Sequence, residues 1–123
     1  TLEGPQVLAA RRVAQDEVPL WLSAADMYVQ PVKMEASSNS MREAAACGLP
    51  VITSDIATNR EFLDASHASL VDPLDIGQLR TEIERLADDP DLRDSMSKAA
   101  LAKAQHSNIT TRASRILEWL ELI

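Results

Sequence analysis

Glycine is scarce in this chain of 123 residues: Gly4, Gly48 and Gly77 are the three it has, and they lie far apart. A nicotinamide-dependent oxidoreductase needs G-x-G-x-x-G after a strand, so that the backbone can turn tightly and approach a pyrophosphate. The sequence offers no such turn. Cysteine is scarcer still. Cys47 stands alone, so no intrachain disulfide can form, and with only His67 and His106 beside it there is no ligand set for a structural zinc. Cys47 follows Ala44, Ala45 and Ala46 and precedes Gly48, a run in which packing calls for a small apolar side chain. No G-x-S-x-G is present and neither histidine sits in a motif, so hydrolase chemistry lacks support and both histidines read as surface or capping residues. Basic residues are outnumbered, 12 against 19 acidic, for a net charge of -7. Nucleic-acid binding draws most of its energy from Lys and Arg on phosphates, so that class is disfavoured. A small anionic ligand is not, because a few backbone N–H groups can hold a diphosphate in an acidic protein. No signal peptide is recognisable, and no apolar run reaches the ~18 residues of a membrane-spanning helix.

What is present is the rhythm of a single α/β domain over residues 1–123, with 46% hydrophobic residues to build its core. The opening "TLEGPQVLAARRVAQDE" is broken up, with room for one strand near Val7–Ala10 or Arg12–Ala14. Pro19 marks a short helix in "PLWLSAAD", and "MYVQP" is a strand stopped by Pro31. "SMREAAACG" is a helix closed by Gly48 at a position that tolerates positive φ. "LPVITSD" and "ASLVDP" are further strands, with a short helix in "TNREFLDA" between them. Strands separated by helices imply crossovers and therefore a parallel sheet. The tail is all helix. Ile76, Leu79, Ile83 and Leu86 form one stripe, with Asp75 and Gln78 as a capping box. Leu92, Met96, Ala99 and Ala100 form a second stripe after Pro90, and Ile109, Ala113, Ile116, Leu117 and Leu120 a third, flanked by Trp119.

Two carboxylates bracket the loop and helix "MEASSNSMREAAACG": Glu35 and Glu43. Two readings stand. Ser40 with Glu43 three residues on is a capping-box spacing, and Glu35 is then a solvated loop charge. Alternatively the loop after "MYVQP" lies beyond the carboxyl end of a parallel strand, where ligands of α/β sheets bind. There the N–H groups of a helix start suit a phosphate and carboxylates suit sugar hydroxyls. Together they suit a nucleotide sugar.

"EASSNSMREAAACGLPVITSD" resembles the donor-binding motif of the retaining glycosyltransferases of group 1, which have the GT-B fold of two Rossmann-like domains. That motif is two glutamates separated by seven residues, then a small-residue helix and Gly-Leu-Pro-Val. "VPLWLSAADMYVQP" upstream and "SDIATNREFL" and "SLVDPLDIGQLRTEIERLADDPDLRDSM" downstream continue the resemblance over residues 17–105. It implies a partial Rossmann-like parallel sheet flanked by helices with a helical C-terminal tail. It implies that Glu35 contacts the donor sugar's hydroxyls as the catalytic carboxylate and that Glu43 bonds the ribose. By the same resemblance the N–H groups of Ala36, Ser37, Ser38, Asn39 and Ser40 approach the sugar and distal phosphate. Ser54 and Asp55 then line the neighbouring strand end, and Glu61 supports the site by placing its helix.

The sequence departs from the pattern at Ala36, where glycine is usual, at Val32 after Pro31, and at Ala57-Thr58, where the family has Gly-Gly. Arg11 and Arg12 do not have the spacing of the family's diphosphate-binding cations and read as a solvated pair. The expectation is a C-terminal part of a donor domain, with the acceptor domain absent and the chain inactive by itself. No cofactor or metal is expected, since the nucleotide sugar is a substrate. The acceptor, a glycan, lipid or small molecule, stays open. A second copy of the chain is a further expected partner, and the expected location is the cytoplasm, with peripheral contact at the inner membrane open to the full-length protein. A non-catalytic α/β nucleotide-binding or interaction domain is the rival reading.

Overall fold

A computed structural model describes residues 12–34, 38–106 and 109–121. Helix α1, Val18–Ser23, carries Pro19 in its first turn, where the fixed φ is suited and the missing N–H would have no partner. Strand β1, Tyr28–Gln30, follows, then α2, Asn39–Ala46, and strand β2, Val51–Ser54. Helix α3, Ala57–Arg60, leads to strand β3, Ala68–Val71, and the chain ends in α4, Ile76–Asp88, α5, Pro90–His106, and α6, Ile109–Glu121.

The three strands form one parallel sheet in the order β1-β2-β3. Tyr28 pairs with Val51, and Val51 with Ala68, in register. Successive side chains of a strand point to opposite faces, and both faces of the central strand are covered, so β2 is buried throughout. Val51 packs with Met41, Leu63 and Ala68 on one face. Ile52 packs with Val71, Leu86 and Met96 on the other. At the end of α2, Gly48 takes φ +79, the left-handed conformation expected of it. The Gly48 and Leu49 N–H groups then close on the Ala45 and Ala44 carbonyls. A Cβ at Gly48 would come 3.0 Å from the Ser97 Oγ of α5, so the helix stop also permits close approach of α5.

Several expectations are corrected. Arg12–Ala14 is not a strand, and Val7–Ala10 lies outside the described residues. The helix in "TNREFLDA" is a single turn that stops at Arg60. His67 is not a surface residue but is 1% exposed, packed beneath α5. On α4, Leu86 is fully buried while Ile76 remains 82% exposed, because the stripe overruns the sheet it covers. The stripe of α6 does not join the core: Ile116, Leu117, Trp119 and Leu120 are all exposed. Among the described residues no helix is long and apolar enough to cross a membrane.

Candidate functional site

Parallel pairing puts the carboxyl ends of all three strands on one edge, and the chain leaves that edge from β1 toward α2. Gln30, the last residue of β1, ties the edge together. Its Oε1 accepts from the Tyr28 hydroxyl at 3.0 Å, from Ser38 Oγ at 3.2 Å and from Ser40 Oγ at 3.3 Å. Its backbone carbonyl accepts from Thr53 Oγ1 at 2.7 Å. Ser54 Oγ, at the end of β2, accepts from the Val32 N–H at 2.8 Å and fixes where the chain leaves β1. Beyond the strand ends, Pro31, Lys33, Val71, Pro73 and Asp75 line a cavity of about 230 Å³.

Helix α2 starts at this edge, with a different cap from the one the S-x-x-E spacing suggests. Ser38 is the N-cap, and its Oγ accepts from the Met41 N–H. Ser40 lies inside the first turn with its hydroxyl turned to Ser38 Oγ and Gln30. The Ser40–Glu43 capping box is therefore corrected: Glu43 lies well inside the helix, past the residue whose N–H the cap receives. Starting at Ser38 places Met41 and Ala44 in the core, and both are fully buried. Glu43 is half-buried and borders a cavity of about 280 Å³ shared with Arg42, Phe62, His67 and Lys103. Asn39 is exposed at the first helical position. Glu35, Ala36 and Ser37 lie outside the described residues.

Ser54 is buried in the framework of the edge. Asp55 follows it and is held by Arg60 through two hydrogen bonds of 2.5 and 2.8 Å. The Arg60 guanidinium lowers the Asp55 pKa, and Asp55 raises that of Arg60. Asp55 is thus already partnered as a carboxylate. Glu61 is exposed where α3 ends. The sequence reading passed over Gln30 and Asn59. Asn59 is fully buried, and its Nδ2 donates to Thr53 Oγ1 at 3.2 Å and to the Ser54 carbonyl at 2.8 Å. The one signal for either was polarity where an apolar residue was expected, since Gln30 closes an apolar strand.

A second charged group lies beside the cavity that Glu43 borders. Asp64 bonds Lys103 and the Ser66 hydroxyl and N–H, which hold its carboxyl far below the usual range. His67 Nδ1 is 3.4 Å from Asp64 Oδ1, and burial lowers the imidazole pKa against the pull of that carboxylate. Among the described residues no group of three or more His, Cys, Asp or Glu is placed to hold a metal ion.

Comparison with known proteins gives this geometry a family. The chain is 33% identical over 107 residues to a D-inositol 3-phosphate glycosyltransferase of Pseudarthrobacter chlorophenolicus, covering 86% of this chain and 26% of that protein. A protein of the same name from Arthrobacter sp. is 33% identical over 90 residues, 72% of this chain and 21% of its own length. One from Thermomonospora curvata is 28% identical over 99 residues, 80% of this chain and 23% of its own length. The chain therefore spans about a quarter of the length of these curated relatives. The sequence profile described as "Glycosyl transferases group 1" matches residues 3–103, a span that takes in the whole sheet, the polar strand-end edge and α2, and on that match the chain belongs to the group 1 glycosyltransferase family.

Proposed function

We propose that this chain is part of the donor-binding domain of a retaining glycosyltransferase that moves a sugar from a nucleoside diphosphate carrier to an acceptor. One observation carries the reading: α2 presents its N-terminus at the carboxyl edge of a parallel sheet, with Ser38 and Ser40 anchored to Gln30. Free N–H groups and the helix dipole at that place favour a phosphate, and the crevice outside the carboxyl ends of parallel strands is where α/β domains take ligands. The chain's part in catalysis is to fix the donor and stabilise charge on the departing diphosphate.

In this reading Glu43 accepts hydrogen bonds from the ribose hydroxyls and Glu35 from those of the transferred sugar. The N–H groups of Ala36, Ser37, Ser38, Asn39 and Ser40 face the sugar and distal phosphate, Ser54 and Asp55 border the site, and Glu61 sets α3. No metal or cofactor is required by this scheme. The names of the relatives make D-inositol 3-phosphate the first acceptor to test. Transfer belongs to the longer protein, in the cytoplasm, and the isolated chain is expected to transfer nothing.

The test is calorimetric titration of the full-length protein with a panel of nucleoside diphosphates and nucleotide sugars, for wild type, Glu43→Ala and Glu35→Ala. Loss of a hydrogen bond to a charged group costs about 1.5–3 kcal/mol, so Glu43→Ala should weaken nucleotide binding about tenfold or more. Glu35→Ala should reduce turnover and discrimination among donor sugars. Unchanged affinity and turnover in both variants would overturn the proposal.

A further inference from the structure

The carboxamide of Asn59 is satisfied on one side only. Its nitrogen makes two hydrogen bonds, while its Oδ1 is fully buried with no hydrogen-bond partner among the described residues. A buried acceptor left unpaired carries a desolvation cost, so such a group calls for an explanation. Satisfying the backbone is not that explanation. The Ser54 carbonyl that Asn59 reaches also accepts from the Ile56 N–H at 3.0 Å, and Thr53 Oγ1 has its own acceptor in the Gln30 carbonyl. Neither group would be orphaned without Asn59.

What the carboxamide adds is direction. Thr53 Oγ1 has one hydrogen, and the N–H from Asn59 takes up a lone pair of the oxygen, so that the hydroxyl's hydrogen is left for Gln30. Gln30 in turn holds Ser38 and Ser40 at the start of α2. Hydrogen bonds thus connect Asn59 on α3 to Thr53 on β2 and Thr53 to the backbone carbonyl of Gln30 on β1, and the side chain of that same Gln30 reaches the end of α2 that the proposed function assigns to the donor. The first link, from Asn59 to Thr53, is buried, where a low dielectric strengthens it, and the later ones are part-buried.

We propose that Asn59 is a positioning residue for donor binding, acting through Thr53 and Gln30 on the N-terminus of α2. The inference rests on the donor-site reading above, and wild-type donor binding and transfer test that reading separately. Asn59 touches no donor atom in this scheme. It sets where the N–H groups and hydroxyls of α2 stand.

The test uses the full-length enzyme with Asn59→Leu, close in volume but without hydrogen bonds, and Thr53→Val, which deletes the hydroxyl. Donor KM, acceptor KM, kcat and the thermal midpoint are measured for each variant and for the pair combined. Both single variants should raise donor KM on the order of tenfold, since small displacements of positioning groups are costly, with acceptor KM unchanged. The double variant should be no worse than the more impaired single one, because both changes cut one line. If Asn59→Leu fails to fold, Thr53→Val alone carries the test by the same donor-against-acceptor comparison. Donor KM at the wild-type value in a folded variant, equal loss for donor and acceptor, or additive losses in the double would overturn the inference. A wild-type enzyme that binds no nucleotide sugar would instead remove the donor-site reading beneath it.

Discussion

His67 and His106 have the same side chain and opposite surroundings. His106 is exposed near the end of α5, whereas His67 is enclosed beside Asp64 and Lys103, in a cavity that Arg42 and Glu43 also border. Burial disfavours the imidazolium, so the folded-state pKa of His67 falls below 6.5 despite Asp64. Between the folded and unfolded values the unfolded chain binds more protons, so stability rises with pH through that window and is lost as pH falls. Asp64 works in the same sense but at far lower pH, since its folded-state pKa is depressed and its contribution fails only below the ordinary carboxylate range. The urea midpoint should therefore drop as pH falls through about 6.5 and below, and His67→Gln should flatten that slope. Identical slopes in the two proteins would show that His67 is not the source. Nothing around His67 in the sequence announces this burial. Its neighbours Asp64 and Ser66 are polar, and the enclosing residues come from α2 and α5, far along the chain. Gly48 was legible for the opposite reason: a helix stop is a local problem, and a glycine after a run of alanines solves it locally.

Helix starts divide along the same line. Asp75 is the N-cap of α4 as its spacing suggests, accepting from the Gln78 N–H at 2.9 Å. Gln78 does not complete the box, because its Oε1 accepts from the Asp72 N–H instead. For α2 the template chose the wrong serine. Ser40–Glu43 fits S-x-x-E, but starting at Ser38 brings two serine hydroxyls to Gln30, beside that of Tyr28, and sinks Met41 and Ala44 into the core. Tertiary contacts decided between two local solutions of similar strength. Ser38→Ala should then cost about 0.5–2 kcal/mol in denaturation experiments, while Glu43→Ala should stay within about 0.5 kcal/mol of wild type. The reverse ranking would restore the capping box. With Glu43 released from a capping role, any effect of Glu43→Ala on nucleotide affinity can be assigned to the ligand and not to a frayed helix. The parallel strands were legible because apolar runs alternating with helices leave few other ways to connect them, whereas their order β1-β2-β3 comes from the structure alone.

Taken whole, the molecule leaves large apolar side chains exposed in several places, among them Leu20, Met34, Leu74 and Ile76. Much of the conspicuous apolar part lies on α6, where Ile116, Leu117, Trp119 and Leu120 are 51 to 62% exposed. The sequence periodicity made this stripe clear, but periodicity says only that a face is apolar, not which surface covers it. A contiguous apolar stripe on a helix is unfavourable in water and tends to find a partner. For the isolated chain of 123 residues the available partner is another copy. Sedimentation of that chain should show association rising from micromolar to the highest soluble concentration. The paired substitution Leu117→Glu and Leu120→Glu places two charges on the stripe and should return it to a monomer with its helix content unchanged. In the full-length protein, the same pair should lower the thermal midpoint if α6 is covered there by the rest of the polypeptide. A wild-type chain that stays monomeric throughout would show that the exposed stripe of Ile116, Leu117, Trp119 and Leu120 is tolerated in water.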